Sequence, residues 1–485
     1  MKSRLSRRHA LRLTGLGVIG AIAFAGCQSA PASPTAAPSV SSSTKPTTGA
    51  STAGSGSASS QPAGGPTAAP AATAPTQGGV TGKVTIMFWD GPPLIDLRRK
   101  AMDGYKAKFP NVEYQFTSVP GGYDSGYADK LTTMIAGGNA PDVFIIPDSD
   151  LPHYLTKNLA RDLTPFVTAD KYDLNQFPKA AIDNFRYKGG MYGLPDNITT
   201  FGVFYDIDAV QAAGGNSPSS SLDDKSWNFD AALNAAQKLT KTQGGRTTSF
   251  GYSYLTALNG WIPWVWANGG EFTNSDVTEL LLNQDPAIEA LQFLVDLRFK
   301  YKVAPSPADV AGSTSADLFK TGRIGLLEDG AWSIANYRSI KTFKWDAGLR
   351  PAGKAGYADY LFAYPLIVFQ GTKSPDAAWQ ALKYFEDDAM PEIVKAGGLQ
   401  GAKPSDMQKY FLQKDLPPAH AQLFIDLVEK VARPLPLMLD YREIEHDITT
   451  EINLLFTGQK TDVRQTIADV KAKIDPMLKA NQFVR

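Results

Sequence analysis

In a chain of 485 residues, Asp90 follows Trp89, Asp148 follows Pro147 and Tyr360 follows Asp359. Tyr123 stands beside Gly121 and Gly122, and Asn197 lies just past Gly193-Leu194-Pro195. Aromatic faces cover apolar C–H surface, while carboxylates and amides hydrogen-bond in plane, so these residues suit capture of a small ligand. Each also has a plainer role: strand-end core for Trp89, helix N-cap for Asp148, a surface turn for Tyr123, simple turn formation for Asn197.

Residues for catalysis are scarce. The histidines are His9, His153, His420 and His446, and Cys27 is the sole cysteine, which excludes a disulfide framework and a Cys-based zinc site within one chain. No Gly-x-Ser-x-Gly elbow occurs; the approximate match Gly49-Ala50-Ser51-Thr52-Ala53 lacks its second glycine. No Gly-x-x-x-x-Gly-Lys-Ser/Thr loop is present, so any ATPase partner is a separate subunit. A secreted glycosidase would need two separated acids. Asp223-Asp224 and Asp387-Asp388 are adjacent and read as solvated.

The elements that position the candidates are legible in outline. Lys83–Trp89 reads as a buried strand, Leu94–Phe109 as a helix stopped by Pro110, and Val112–Phe116 as a second strand. Tyr127–Ala136 is a helix and Asp142–Ile146 a third strand, an alternation that predicts a parallel sheet flanked by helices. Ligands bind beyond the carboxyl ends of such strands, where Trp89-Asp90 and Pro147-Asp148 stand. Further strands are expected at Gly202–Tyr205, Ile324–Leu327 and Leu361–Phe369. Helices are expected at Phe229–Leu239, Ile288–Phe299, Ala316–Thr321, Pro375–Glu386 and through Ala419–Lys479. The fold class is α/β in two lobes. Trp227 and Trp379 read as structural.

The charge balance of 48 basic and 48 acidic residues hides a split. Residues 1–26 hold Lys2, Arg4, Arg7, Arg8 and Arg12 and no acid, which leaves 43 basic against 48 acidic in the remainder. That mild acidity argues against nucleic acid as a partner. A basic segment followed by uncharged Leu13–Gly26 reads as an export signal over 1–26. Ser6-Arg7-Arg8-His9-Ala10-Leu11-Arg12 resembles a twin-arginine signal, with Ala10 where a large apolar residue is usual, so Sec export stays open. Phe24-Ala25-Gly26-Cys27 resembles a lipobox, which implies lipidation of Cys27; the alternative is a free or buried thiol after an uncleaved anchor. The Ser/Thr/Ala/Pro/Gly run over 27–82 reads as a tether with a reach of ~40 Å.

Several stretches, in order, resemble the extracellular solute-binding proteins of ABC importers, specifically the family-1 sugar-binding type that includes maltose-binding protein. They include Asp129-Lys130-Leu131, Ala136–Val143, Tyr192–Pro195 with Phe204-Tyr205-Asp206, Trp266–Gly270, Phe319–Leu326, Gly330-Ala331-Trp332, Lys373–Trp379 and Gly397-Gly398-Leu399. The resemblance implies a two-lobed fold with a hinge, lobe 1 being 83–200 plus 346–388 and lobe 2 being 201–345 plus 389–485. It implies a monomeric receptor without cofactor, anchored at the outer face of the bacterial cytoplasmic membrane, that delivers a carbohydrate to permease subunits. By family position it adds Trp332, Asn259, Trp261 and Trp264 to Trp89, Asp90, Tyr123, Asp148, Asn197, Asp359 and Tyr360 as ligand contacts. Gln400 joins them at a departure, since relatives often carry Pro there with an Arg soon after. A polyamine, peptide or other small-solute receptor of the same importer class is the open alternative.

Overall fold

A computed structural model describes residues 79–92, 94–310, 312–397, 399–480 and 483. The export signal, Cys27 and all but the end of the tether lie outside the described residues.

Ten strands build two five-stranded sheets. The first five are β1 (Gly82–Phe88), β2 (Val112–Ser118), β3 (Val143–Ile145), β4 (Leu194–Thr199) and β5 (Phe201–Asp206). The others are β6 (Lys241–Gln243), β7 (Arg246–Ser253), β8 (Ile324–Gly330), β9 (Trp345–Gly348) and β10 (Phe362–Val368). The first sheet has the order β2-β1-β3-β10-β4 and the second β9-β5-β8-β7-β6. β3, at the centre of the first sheet, is apolar and buried throughout, and most of β10 beside it is buried too, as expected where both faces of a sheet are covered.

The sheets are mixed rather than parallel. β1 runs parallel to β2 and β3, with Ile86 opposite Val143, but β10 runs antiparallel to both β3 and β4. The reason lies in connectivity: β10 arrives from the second sheet and is not joined to β3 or β4 by a strand–helix–strand crossover, which would impose one direction. Its register shifts between Tyr364 and Pro365, where the proline has no N–H for the ladder.

Thr200 alone separates β4 from β5, so one buried residue carries the chain from the first sheet to the second. The return comes later than residue 346. β9 still pairs with β5, Asp346 opposite Tyr205, which places the return within residues 349–361. The next expected boundary, at 388/389, also differs: the helix Met390–Lys395 packs against Leu94–Ala101, on the first sheet's side. The two last long helices, Tyr441–Phe456 and Val463–Ala480, pack with Leu258–Ala267 and Asp285–Phe299 beside the second sheet.

Each sheet carries one buried arginine. Arg98 Nε donates to Asp90 Oδ2 at 2.5 Å, and its Nη atoms donate to both oxygens of Asp196 at 2.6 and 2.7 Å, tying the ends of β1 and β4 to the helix Leu94–Ala101. Arg350 Nη2 donates to Glu328 Oε2 and the Gly260 carbonyl, both at 2.5 Å, and Tyr252 donates to Glu328 Oε1 at 2.8 Å. Trp227 and Trp379 are buried, their indoles donating to the Leu349 carbonyl and to Asp170.

Candidate functional site

The alternation of β10 and of the residues before it builds an aromatic floor. In an extended chain every second side chain shares a face, and Tyr360, Phe362 and Tyr364 all line one cleft. Phe362 stacks on Tyr364 at 6.0 Å and meets the edge of Trp332 at 5.3 Å. Trp89, half-buried at the end of β1, meets Tyr364 edge-on at 5.4 Å and Tyr123 at 5.9 Å. The result is a chain of rings, Trp332–Phe362–Tyr364–Trp89–Tyr123, running from the second sheet to the first.

The cleft above this floor has a volume of about 220 Å³, and both halves line it. Asp148 opens a single 3₁₀ turn after β3 and accepts from Asn184 Nδ2 at 2.7 Å. Opposite stand Asn259, at the start of Leu258–Ala267, and Tyr441, Arg442 and Glu445 from the first turns of Tyr441–Phe456. Arg442 reaches across to the first half: Nε lies 2.9 and 3.0 Å from the Asp150 oxygens, Nη2 2.7 Å from Oδ2, and Nη1 3.1 Å from Asp124. Its guanidinium also sits 4.8 Å from the Tyr123 ring centre. The cleft thus combines ring faces, carboxylates, phenols, an amide and a guanidinium. Among the described residues no group of three or more His, Cys, Asp or Glu side chains could hold a metal ion.

Burial pushes the Asp148 carboxyl up to about 7, with nearby Asp150 adding to the shift and hydrogen bonds opposing it. A folded chain that holds this proton more tightly than the unfolded one loses stability as pH rises from about 4 to about 7, by at most about 4 kcal/mol for three pH units. Asp359, also raised to about 7 by burial against the pull of Arg350, acts with the same sign. Asp148→Asn should therefore gain about 1–3 kcal/mol over the wild type on going from pH 5 to pH 8. Thermal denaturation at both pH values checks this; an unchanged difference would contradict it.

The cleft gathers Trp89, Tyr123, Asp148, Asn259 and Tyr360 of the sequence candidates, and Trp332 joins the floor through Phe362. The others lie elsewhere. Asp90 turns inward to Arg98 instead of facing a ligand. Asn197 is buried and donates to Asp196, because its β4 position pairs with β10 inside the sheet. Trp261 is fully buried and Trp264 is packed among Phe229, Phe293 and Tyr252, since the helix Leu258–Ala267 is apolar nearly all round and sinks into the second core. Asp359 faces the opposite side from Tyr360, towards Arg350, as adjacent strand residues must. Gln400 accepts from Thr199 and lines, with Trp332 and Arg338, a separate small hollow.

Phe362, Tyr364, Tyr441, Arg442 and Glu445 were not among the candidates. Two local signals mark them: the period-2 aromatic run Tyr360–Phe362–Tyr364, and Tyr441 with Glu445 four residues apart on one helical face. A further groove of about 370 Å³, lined by Phe229, Asn268, Phe293 and Lys354, contains none of the candidates.

Two α/β sheets sharing an aromatic cleft define the two-lobed binding-protein fold. The ABC substrate-binding protein Lmo0181 of Listeria monocytogenes, solved in complex with cycloalternan, is similar with a TM-score of 0.73 and 24% identity, covering 82% of this chain and 98% of that one. The GacH receptor of Streptomyces glaucescens is similar with a TM-score of 0.69 and 19% identity, covering 82% and 99%. The chain belongs to the bacterial extracellular solute-binding protein family, whose model matches residues 91–390. Among relatives, the arabinooligosaccharide-binding protein of Bacillus subtilis (strain 168) is 24% identical over 241 residues, which is 48% of this chain and 52% of that protein. The maltodextrin-binding protein MdxE of the same strain is 26% identical over 261 residues, 52% and 58% of the two chains. The matches therefore span little more than half the length of these relatives.

Proposed function

We propose that this chain is the extracytoplasmic receptor of an ABC importer, closing its two halves over a carbohydrate and presenting it to permease subunits with a separate ATPase. The reading rests on one observation, the ring-faced floor that both halves share, edged by the acids and phenols of Asp148, Glu445, Tyr360, Tyr364 and Tyr441. Sugar C–H faces stack on rings and sugar hydroxyls donate well to carboxylates. The relatives named for oligosaccharides support it. The chain acts by binding, not by catalysis, as a monomer. Lipidated Cys27 and the tether hold it at the outer face of the cytoplasmic membrane, and its lobes follow the two sheets, with the hinge at Thr200 and within 349–361.

Calorimetric titration of the mature chain with mono- and oligosaccharides, polyols, polyamines and amino acids tests the ligand class. A glycan should bind, and at 100 times its dissociation constant it should add about 2.7 kcal/mol of stability. Trp89→Ala should weaken that binding by about 2 kcal/mol, roughly 30-fold, as for a buried aromatic anchor. Binding of polyamines alone would move the reading to the acids of the cleft, and binding of nothing but hydrolysis of an added glycan would replace it.

A further inference from the structure

Arg442 lies across the trough between the halves and divides it. The inner chamber is the cleft of about 220 Å³, and beyond the guanidinium lies an outer one of about 390 Å³. Both are walled by Tyr123, Asp124, Ser149, Tyr441 and Arg442, so they meet at this side chain. The outer chamber continues the chemistry of the inner one, with the Tyr154 phenol, the Thr132 hydroxyl, His153 and Glu443. Of the five shared residues, Arg442 is the one whose side chain reaches from the second half to bond Asp150 of the first.

That side chain is held firmly. The near-parallel pair with Asp150 is the two-pronged arrangement that fixes a guanidinium in direction as well as distance. Asp150 is 6% exposed while the Arg442 side chain is 37% exposed, so the carboxylate is sheltered and the guanidinium meets solvent on its outer side. Asp124 and Glu445, at 3.1 and 3.4 Å, and the Tyr123 ring complete the hold.

We infer that Arg442 is an end stop that sets ligand length: a glycan filling the inner chamber terminates against it, and the outer chamber is reached only when the pair with Asp150 parts. This rests on the carbohydrate reading above. A residue that merely braced the two halves would alter affinity for ligands of every length alike. An end stop alters the dependence on length.

The test is calorimetric titration of the full mature chain with malto-oligosaccharides and arabino-oligosaccharides of two to seven units. It compares the wild type, Arg442→Ala, and Arg442→Ala combined with Asp150→Asn, which removes the buried carboxylate the single change would strand. Wild-type affinity should climb with each added unit and then level off. Both variants should keep climbing past that length and bind the longest member at least tenfold tighter, relative to the shortest, than the wild type does. An unchanged plateau length in the double variant, or a uniform change at all lengths, overturns the end stop alone. Failure of both series to bind the wild type overturns the end stop for these glycans, and only if the mono- and oligosaccharide titration above is also silent does the carbohydrate reading fall with it.

Discussion

Arg98→Met is expected to cost about 3–5 kcal/mol of folding stability, the range for removing one partner of a buried ion network. The guanidinium is fully buried, makes three hydrogen bonds to Asp90 and Asp196, and lies 4.0 Å from the Phe88 ring centre. Methionine fills much of the stem's volume but leaves two carboxylates in a dry site without a cation. Burial already raises the Asp90 carboxyl, with Arg98 pulling it down. Without that pull its proton is held more tightly still, so the deficit should be larger at pH 8 than at pH 5. Urea denaturation at the two pH values measures both effects. Arg98→Met together with Asp90→Asn and Asp196→Asn should recover most of the loss. A deficit below about 1 kcal/mol at pH 8 would mean that water reaches the site.

The second large effect concerns Trp261, which family position suggested as a ligand contact and which the fold buries completely. Trp261→Ala should cost about 3–5 kcal/mol by opening a cavity in the second core. Its indole N–H has no hydrogen-bond partner among the described residues, so Trp261→Phe forfeits no bond and should cost much less, about 1–2 kcal/mol. Neither change should move glycan affinity of the folded protein by more than about twofold, whereas Trp89→Ala should. Paired denaturation and titration measurements separate the roles; a large affinity loss in Trp261→Phe at normal stability would return this residue to the site.

These two residues show what could be read from the chain. Elements with strong local patterning were legible: Phe229–Leu239 is a helix over those residues, and the apolar runs containing Phe88 and Ile367 are strands. Strand-end placement put Trp89 and Asp148 at the edge of the cleft, because the backbone direction that forms the sheet also fixes where its open end lies. What failed was the choice between two faces. Asp359 and Tyr360 are neighbours in an extended segment and cannot both point into the cleft, and Asp90, beside Trp89, is drawn to an arginine eight residues away. Three tryptophans in six residues say that something large is covered, and not whether a ligand or a core covers it. Tyr441, Arg442 and Glu445 were missed because their helix looks like any other amphipathic packing helix. Only the tertiary arrangement brings its first turns over β10.

Because β10 fills the place between β3 and β4, the first sheet stays unfinished during synthesis until Val368 has left the ribosome. Before then β3 and β4 each offer an unpaired edge to any neighbouring strand, while every strand of the second sheet emerges after β4 and ahead of β10. Such long-range closure is slow. The second half therefore has all its strands once Gly348 has been made, whereas the amino-terminal half, begun first, waits longest for the strand that joins β3 to β4.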